Sequence, residues 1–404
     1  MYRGRLRGHA YVESLIMPRL LHQTGYCTNV HAGAEFAQMR ANLERITLDV
    51  KRQVSPHEAM GVGLWLSAAA ARSLRADAQL QAFRDWLQSV QLVPYTFNGF
   101  PHGDFHQKVV KHNVYLPTWA DEDRLVYTLD LIAIQDALLP AGMDGSISTL
   151  PIAWGNPAPT EDVLKQAARQ LARVADHLAR LEQKTGRLIT VCLEPEPGCV
   201  LQRKGDFIWF FKNYLWPIGK EDVLRRYLRV CHDVCHSVVM FEDQAEVLQT
   251  YYAAGIEVGK VQISSAVCVD FAPLDARARI DAIDQLAGFA EDRYLHQTVT
   301  REPGKRSVFH QDLPALLRSI VDPRQLTSEW RIHFHVPIYL ESFGHLSGSR
   351  NDIVSCLAAC AKYSQVKHFE VETYAWGVLP KSLQHAKLAD GIAQEMKWFL
   401  EQTK

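Results

Sequence analysis

The sequence predicts an α/β protein built as a (β/α)8 barrel, the TIM-barrel architecture. Short apolar runs typical of buried strands alternate with longer segments of helical spacing along most of the 404 residues, and such alternation favours a parallel sheet wrapped by helices. Polar residues follow directly after many of these runs. No G-x-G-x-x-G motif opens a helix after a strand and no P-loop motif occurs, which counts against dinucleotide-binding and P-loop sheets.

Nine apolar runs qualify as strands by length and by their β-branched and aromatic content. They cover residues 24–30, 60–66, 90–97, 146–153, 188–193, 229–233, 259–264, 330–336 and 367–374. A barrel has only eight strand positions. We therefore expect either residues 332–336 or one early strand to lie outside the barrel.

Helical spacing of apolar residues predicts the connecting segments. They cover residues 35–52, 68–88, 121–138, 160–184, 206–215, 220–228, 242–254, 275–290, 311–320, 350–364 and 383–401. Thr160 is the expected N-cap of the longest one. Residues 294–310 break the alternation, and their pattern predicts a β-hairpin insertion late in the chain.

Composition excludes several classes of protein. The formal net charge is -1, from 44 Lys and Arg against 45 Asp and Glu, so no strong field draws in nucleic acid or an anionic membrane. No apolar run approaches the roughly 18 residues of a membrane span. The short run 15–17 is broken by Pro18, so we expect no secretory signal, a cytoplasmic protein and eight reduced cysteines.

The domain organisation follows from the same pass along the chain. Residues 1–20 have irregular composition and are predicted to be an N-terminal extension, disordered or poorly ordered. Residues 21–404 are predicted to form one barrel domain.

The stretch Val191-Cys-Leu-Glu-Pro-Glu-Pro-Gly198 combines a buried strand with two acids at its end. Pro195 and Pro197 cannot donate to a strand ladder, so pairing stops there. Buried acids are costly unless a cation meets them. Either Glu194 or Glu196 is therefore a candidate metal ligand.

Three further strand ends carry similar groups. Asp233 and His236 end the sixth strand as D-x-x-H, and the pairs His333/His335 and Glu370/Glu372 each alternate along one face of a strand. Carboxylates with imidazoles suit Mn²⁺, Zn²⁺, Fe²⁺ or Co²⁺. No lysine or arginine stands at these strand ends, so a divalent metal is the predicted partner. A zinc thiolate site at Cys231 and Cys235 is the weaker alternative, because no second cysteine pair has zinc-site spacing.

Contacts to a substrate are expected around the barrel mouth. The long loop Asn98-Gly-Phe-Pro-His-Gly-Asp-Phe-His106 is aromatic and rich in histidine, and long ordered loops after strands are usually functional. The predicted substrate-binding residues are His31, Asn98, His102, His106, His236 and Trp154. For each aromatic residue, ordinary core packing is the competing interpretation.

The motifs L-E-P, D-x-x-H and V-E-T together resemble the xylose isomerase-like TIM barrels. That resemblance implies Glu194, Asp233 and Glu372 as metal ligands, with His236 beside them. Epimerases of that superfamily have a histidine at the end of strand seven, where this chain has Gln262, so we expect His335 to take that place. The remaining candidates for a ligand are Glu196, His236, His333 and Gln262.

A closer resemblance is to the EboE family of metabolite-traffic proteins. It rests on five motifs: Tyr26-Cys-Thr-Asn-Val-His31, Asn98-Gly-Phe-Pro-His-Gly103, Leu193-Glu-Pro-Glu-Pro197, His333-Phe-His-Val-Pro337 and Val371-Glu-Thr-Tyr374. The resemblance implies a cytoplasmic role in making or delivering a precursor of a secondary metabolite. It also implies partners from the same gene cluster, including a membrane prenyltransferase-like protein.

Three hypotheses about function follow. The first is a metal-dependent isomerase or epimerase of a sugar-like or polyol metabolite, in which Glu194 and Glu372 move a proton next to a carbonyl. The second is a carrier that binds the metabolite without turnover. The third, an apurinic endonuclease-like hydrolase, is disfavoured by the absence of a basic face.

Overall fold

A computed structural model describes residues 23–404 and contains a barrel of eight parallel strands. With strands numbered in chain order, the barrel comprises β1 (Thr24–Tyr26), β2 (Met60–Trp65), β3 (Leu92–Asn98), β4 (Gly145–Thr149), β5 (Ile189–Leu193), β6 (Leu228–Asp233), β7 (Val258–Ile263) and β14 (Phe369–Val371). Their order in the sheet is β1-β14-β7-β6-β5-β4-β3-β2. An isolated parallel bridge between Cys27 and Gly63 connects the two ends of this sheet and closes the barrel. The predicted (β/α)8 fold is confirmed.

The helices lie between the strands and cover the barrel. They are α1 (Phe36–Asn42), α2 (Leu48–Val54), α3 (Ala68–Leu74), α4 (Asp77–Ser89), α5 (Glu122–Leu138), α6 (Glu161–Thr185), α7 (Lys204–Phe210), α8 (Glu221–Tyr227), α9 (Val234–Val239), α10 (Gln244–Ala254), α11 (Ala276–Ala287), α12 (Leu313–Ser319), α13 (Arg350–Tyr363) and α14 (Leu388–Gln402). A π-helical segment, Leu43–Thr47, joins α1 to α2, and a second one, Phe211–Leu215, follows α7. The predicted helix 68–88 is two helices, α3 and α4.

The longest helix, α6, shows how local sequence sets an element. Its apolar residues recur at helical spacing, and Leu164, Leu171 and Leu178 are all buried. The Thr160 side chain accepts a hydrogen bond from the Val163 amide at 3.4 Å, as expected for an N-cap. Gly186, with φ 72°, ends the helix in the left-handed conformation that glycine adopts without strain.

A second, antiparallel sheet packs beside the barrel. It contains β8 (Val267–Asp270), β9 (Thr298–Arg301), β10 (Val308–His310), β11 (Glu329–Ile332), β12 (Ser342–Phe343) and β13 (Leu346–Gly348), in the order β10-β9-β11-β8-β13-β12. β9 and β10 form the predicted hairpin. The run 330–336 is the strand candidate that lies outside the barrel, because β11 pairs with β8 and β9. The short strands β8, β12 and β13 were not predicted.

Some predictions concern termini, membranes and thiols. The predicted extension 1–20 lies outside the described residues. Among residues 23–404, no helix combines the length and the apolar character needed to cross a membrane. All eight cysteines are free thiols, as expected, and all but Cys268 are buried.

Candidate functional site

The carboxyl-terminal ends of the barrel strands bring four predicted ligands together. Glu194 directly follows β5, Asp233 ends β6 and Glu372 directly follows β14. His335 comes from the segment after β11 and reaches the same place because the Val336 amide donates to the Ser265 carbonyl at 3.0 Å. We call these four residues, Glu194, Asp233, Glu372 and His335, the carboxylate–histidine cluster.

The ligand atoms of this cluster lie close enough to share one ion. Carboxylate oxygens of Glu194, Asp233 and Glu372 all lie within 4.8 Å of one another, and Asp233, His335 and His236 form a second such set. Three buried atoms in the cluster have no hydrogen-bond partner within residues 23–404: Glu194 Oε2, Asp233 Oδ2 and His335 Nε2. Unpaired buried polar atoms are costly, so this arrangement is stabilised when a cation binds them.

Neighbouring groups orient each ligand. The Nδ1 atom of His335 lies 2.8 Å from the Glu372 carbonyl oxygen, so Nδ1 carries the proton and Nε2 presents its lone pair to the cluster. The Ser264 hydroxyl donates to Asp233 Oδ1 at 2.7 Å. The side-chain amides of Asn29 and Asn98 donate to Glu372 Oε1 at 2.7 and 2.9 Å. Hydrogen-bonded partners of this kind are typical of metal ligands.

Burial raises the pKa of each acid in the cluster when no cation is bound, and mutual repulsion raises the pKa values of Glu194 and Glu372 further. Burial raises the pKa of Glu194 well above its ordinary value, and the charges of Glu372 and Asp233 raise it further. Burial and the charge of Asp233 likewise raise the pKa of Glu372. Burial lowers the pKa of His335 to about 4. A divalent cation reverses this balance, because it stabilises both the carboxylates and the neutral imidazole.

The donor set fits a transition metal. Three carboxylates and one imidazole form a site that is harder than a thiolate site and softer than an all-oxygen site, which suits Mn²⁺, Zn²⁺, Fe²⁺ or Co²⁺. The free Nε2 atom of His335 and the free oxygens of Glu194 and Asp233 are the atoms that would hold the ion.

A second group of ligand atoms adjoins the first. It consists of Glu196, His236 and His333, whose ligand atoms lie within 4.8 Å of one another, and we call it the dihistidine cluster. The Nδ1 atoms of His236 and His333 lie 2.6 Å from the Pro195 carbonyl and 2.8 Å from Gln297 Oε1, respectively, so both donate. Their Nε2 atoms face each other at 3.1 Å. Two facing lone pairs repel unless a proton or another cation lies near them.

The structure places the two candidate acids, Glu194 and Glu196, in different clusters. Glu194 belongs to the carboxylate–histidine cluster, whereas Glu196 belongs to the dihistidine cluster. Hydrogen bonds from Tyr115 at 2.8 Å and from Gln297 at 2.7 Å hold Glu196 Oε1 away from the carboxylates. Burial raises the pKa of Glu196 to about 8, although these two hydrogen bonds oppose the shift.

A lysine beneath the site was not predicted from the sequence. Lys260 lies inside β7, and its Nζ atom is 2.6 Å from Glu370 Oε2 with both side chains fully buried. Glu370, which the sequence pattern pairs with Glu372, therefore belongs to an ion pair one layer deeper in the barrel. At the rim, Lys111 is paired with Asp312 at 2.6 Å.

The predicted substrate contacts fall in three places. Asn98 and His236 line the cavity above the carboxylate–histidine cluster, whereas His31 and His106 line a neighbouring cavity. His102 lines neither cavity, because its ring packs edge-on against Tyr127 with centroids 5.0 Å apart.

Trp154 is also absent from both linings. It stacks on Tyr115 at a centroid distance of 4.9 Å and lines a separate cavity with Gly198 and Phe309. Gln262 is fully buried within β7 and accepts a hydrogen bond from the Cys231 thiol at 3.3 Å. It therefore stands below the cavity and does not line it.

Some site residues escaped sequence reasoning. Asn29, Tyr115 and Gln297 line the cavity and bind candidate ligands directly. Gln297 lies at the start of the hairpin insertion, where no strand-end pattern marks it. Lys260 carried a usable signal, because a lysine inside an apolar strand requires a buried partner.

For the alternative zinc thiolate site, the structure brings together residues other than the predicted pair Cys231 and Cys235. Cys235 lies near His333 and His335, and one ligand atom of each is within 4.8 Å of the others. Burial raises the pKa of the Cys235 thiol well above its ordinary value, and a buried thiol without a cationic neighbour is inert. Cys231 is not in this group and contacts Gln262 instead.

Comparisons with known proteins address the fold. No protein-family model and no curated protein matches the sequence. Among solved structures, a xylose isomerase-like TIM-barrel protein from Mycobacterium smegmatis, in complex with magnesium, matches with a TM-score of 0.51 at 11% identity, over 94% of this chain and 96% of that chain.

Two further solved structures match less closely. L-ribulose 3-epimerase matches with a TM-score of 0.48 at 12% identity, over 94% of this chain and 93% of that chain. The IOLI protein with a bound zinc atom matches with a TM-score of 0.47 at 12% identity, over 94% and 98%. The eight-stranded parallel barrel and the magnesium-bound structure together show that this chain has the fold of the xylose isomerase-like TIM barrels.

Proposed function

We propose that the protein is a metal-dependent isomerase or epimerase that acts on a sugar-like or polyol metabolite. The observation that carries this proposal is the carboxylate–histidine cluster, whose buried ligand atoms Glu194 Oε2, Asp233 Oδ2 and His335 Nε2 have no partner within residues 23–404. The cluster lies at the carboxyl-terminal face of the barrel, where TIM-barrel enzymes have their active sites.

The proposed chemistry is proton abstraction from a carbon next to a carbonyl. A bound divalent ion supplies Lewis acidity that stabilises the negative charge developing on the substrate oxygens. Glu194 and Glu372 are the proposed base and acid. They follow β5 and β14, which flank β6 and β7 in the sheet, so a small substrate between them meets one carboxyl group from each side.

The hydrogen bonds around Glu372 support a role in positioning. Asn29 and Asn98 occupy its Oε1 atom, which leaves Oε2 to face the cavity. Glu395 on α14 accepts hydrogen bonds from the Ile338 amide at 3.1 Å and the Thr373 hydroxyl at 2.5 Å. These contacts tie the segments that follow His335 and Glu372 to one rigid helix, which favours a fixed distance between the two ligands.

The finer role rests on the resemblance to the EboE family. From it we propose that residues 21–404 act as one domain in the cytoplasm, in the biosynthesis or traffic of a secondary-metabolite precursor. The proposed partners are the metabolite and other proteins of the same gene cluster, including a membrane prenyltransferase-like protein. The small net charge supports a metabolite over nucleic acid as the ligand.

Metal content is the first experiment. Elemental mass spectrometry of the wild type, after purification with Mn²⁺, Co²⁺ or Zn²⁺, should find at least about one ion per chain, and the mixed carboxylate and imidazole ligands should decide which ion is retained. The double variant Asp233→Ala/Glu372→Ala should lose it. Glu257→Ala is the matched control, because Glu257 is exposed and directly precedes β7 at the opposite end of the barrel. No bound metal in the wild type would overturn the proposal.

Solvent exchange tests the reaction. The metal-loaded protein is incubated in D₂O with ketopentoses, ketohexoses and inososes, and deuterium at the carbon next to the carbonyl is measured by NMR. Incorporation that is lost in Glu194→Gln supports proton abstraction. Metal and ligand binding without any exchange would instead favour a carrier that keeps the pocket and lacks the chemistry.

A further inference from the structure

A second cavity lies beside the carboxylate–histidine cluster on the same face of the barrel. Its walls come from the segment after β1, from the π-helical segment before α2, and from residues 374–388 after β14. It has a volume of about 310 Å³, whereas the space directly above the cluster has only about 60 Å³. The smaller space suffices for an ion and a few waters, so a larger ligand must extend into a neighbouring cavity.

Two arginines, Arg45 and Arg293, give the lining of this second cavity its positive charge. Its basic side chains are His31, Arg45, His106, Arg293 and His385, and we call it the basic cavity. Within the described part of the chain, no aspartate or glutamate lines it. A concave surface lined by one sign of charge attracts ligands of the opposite sign.

Among residues 23–404, the two arginines of the basic cavity have no acidic partner. Neither the Arg45 nor the Arg293 guanidinium lies within 4.0 Å of a carboxylate of those residues, although the Arg293 backbone amide donates to Glu291 at 2.7 Å. Arg52 on the neighbouring α2, in contrast, pairs with Asp49 at 3.1 Å. Arg45 donates only to Asn42 Oδ1, at 3.1 Å. The Nε atom of Arg293 is buried and has no hydrogen-bond partner in the same range, so the guanidinium groups remain available for an anion.

The histidines of the basic cavity are held by fixed contacts. His31 is only 4% exposed, and its Nε2 atom lies 3.2 Å from the Tyr26 hydroxyl. His106 donates through Nε2 to the Asn29 carbonyl at 2.6 Å. These contacts leave the opposite side of each ring facing the cavity. Burial and the neighbouring charge of His106 lower the pKa of His31, and the charge of Arg45 lowers it further.

The basic cavity adjoins the carboxylate–histidine cluster directly. Asn29, whose carbonyl holds His106, also donates through its side chain to Glu372. Tyr294 and Tyr374 line both cavities, and their ring centroids lie 5.0 Å apart. These two rings pack edge to face and form the wall that the two cavities share, so a ligand that occupied both cavities would have to displace them.

We propose that the basic cavity is a binding site for an oxyanion of the phosphate class, held by Arg45 and Arg293. Planar guanidinium groups match the geometry of phosphate oxygens. Phosphate sites formed by loops after the last strands occur in many TIM barrels on this face. If the proposed function holds, the anion is the phosphate group of the substrate, which makes the substrate a phosphorylated ketose or polyol; otherwise it is free phosphate.

Titration with inorganic phosphate tests the site itself. Isothermal calorimetry is done on metal-free wild type, so that the result does not depend on the metal site. We expect saturable binding of one phosphate per chain in the wild type and at least roughly tenfold weaker binding in Arg45→Gln, because a hydrogen bond between charged groups is lost. Arg52→Gln is the matched control and should bind as the wild type does.

Two results would overturn the proposal: no saturable phosphate binding in the wild type, or equal binding in the wild type and in Arg45→Gln/Arg293→Gln. Circular dichroism and metal content verify that the variants fold. Arg45 is exposed, so its single substitution keeps the test valid if the double variant is unstable.

The source of the anion is distinguished on metal-loaded protein. A phosphorylated ketose should bind more tightly than both inorganic phosphate and the unphosphorylated ketose, and this preference should disappear in Arg45→Gln. Equal affinity for the ester and for inorganic phosphate would overturn the assignment to the substrate and leave a site for free phosphate. A wild-type protein that binds phosphate but binds no metal would count against the proposed function alone.

Discussion

Glu370 and Glu372 have similar positions in the sequence, on and directly after the last barrel strand, but different surroundings in the structure. Glu370 and Glu372 alternate with one residue between them and point to the same side of the strand. Glu370 lies against Lys260 in a fully buried ion pair. Glu372 lies one layer higher, between two amide donors and two unpaired acids. Glu370 is therefore neutralised by a cation of the chain itself, although neither of its carboxylate oxygens accepts a hydrogen bond within residues 23–404, whereas the upper layer needs a cation from outside.

The two layers have different roles: the lower one stabilises the barrel, and the upper one is the candidate metal site. In the lower layer, Gly63 lacks a side chain where the Glu370 carboxylate lies, since a Cβ atom there would overlap Glu370 Oε1. In the upper layer, polar atoms remain unpaired and line a cavity. Substitutions in the lower layer should change stability, and those in the upper layer should change metal binding.

The largest expected effect is the decrease in unfolding free energy when the Lys260–Glu370 ion pair is broken. Lys260→Met leaves Glu370 as an uncompensated buried charge, which typically costs about 3–5 kcal/mol of unfolding free energy. Urea unfolding of the metal-free protein measures it. The double variant Lys260→Met/Glu370→Leu should recover much of this loss. A loss of only about 1 kcal/mol, as for a surface pair, would contradict the assignment of this pair to the barrel core.

The second effect concerns Glu372. Glu372→Gln keeps an oxygen that accepts from Asn29 and Asn98 but removes the charge that binds metal. Metal affinity, measured by competition with a chelating dye, should fall by more than the roughly 10–100-fold that loss of an outer-shell partner costs. The metal-free variant should be as stable as the wild type or more so, because one repelling acid is gone. Reduced stability with unchanged metal affinity would place Glu372 in the structural layer with Glu370.

The third effect is a pH dependence that separates the layers. The folded protein keeps Glu196 protonated up to about pH 8, whereas the unfolded chain loses that proton near its ordinary pKa of 4.5. The folded state thus binds more protons, so stability of the metal-free protein falls as pH rises through this range, by at most about 1.4 kcal/mol per pH unit for one proton. Glu196→Gln should reduce the slope of the profile by up to one proton, and the remaining slope comes from Glu194 and Glu372, whose pKa values are also raised.

The lysine of the lower layer titrates in a higher pH range. Burial lowers the pKa of Lys260, but the charges of Glu370, Cys231 and Cys27 together outweigh this and raise it above its ordinary value of 10.5. Its contribution to stability is therefore present throughout the range in which Glu196 titrates and is lost only above about pH 10.5. Unfolding midpoints measured from pH 5 to pH 9 on Glu196→Gln would contradict this separation if they fell as steeply as those of the wild type.

The smallest effect comes from a matched pair of serines. Ser148 accepts a hydrogen bond from Lys260 at 3.2 Å, and Ser264 donates to Asp233 at 2.7 Å. Each change to alanine should cost about 0.5–1.5 kcal/mol, the usual net contribution of one hydrogen bond. Ser148→Ala should lower the unfolding midpoint and leave metal affinity unchanged, whereas Ser264→Ala should also weaken metal binding. Equal effects of both on metal affinity would remove the distinction between the layers.

Most of the fold could be predicted from the sequence because the barrel strands have a recognisable residue pattern. Their runs are apolar, short and separated by helices of regular spacing, and each barrel strand has a counterpart among the nine runs. The small strands β8, β12 and β13 were missed because two to four residues carry no periodicity. The break between α3 and α4 was missed for a related reason, since helical residues flank it on both sides.

The candidate site was predicted in outline. Glu194, Asp233, His335 and Glu372 come together as expected, because the ends of parallel strands meet at one face. His102 was placed near the substrate from loop composition and Trp154 from its position after the fourth strand, and their rings pack against Tyr127 and Tyr115 instead. Composition of a loop does not determine which way its side chains face.

The sequence alone determined the barrel, its late hairpin and the presence of acids and imidazoles at the strand ends. These properties depend on local periodicity and on chain order, which a sequence contains. Only the tertiary structure decided that Lys260 neutralises Glu370, that Glu194 and Glu196 belong to different clusters, and that Arg45 and Arg293 face one cavity. Such pairings join residues far apart in the chain, and electrostatic energy depends on distance in space and on burial.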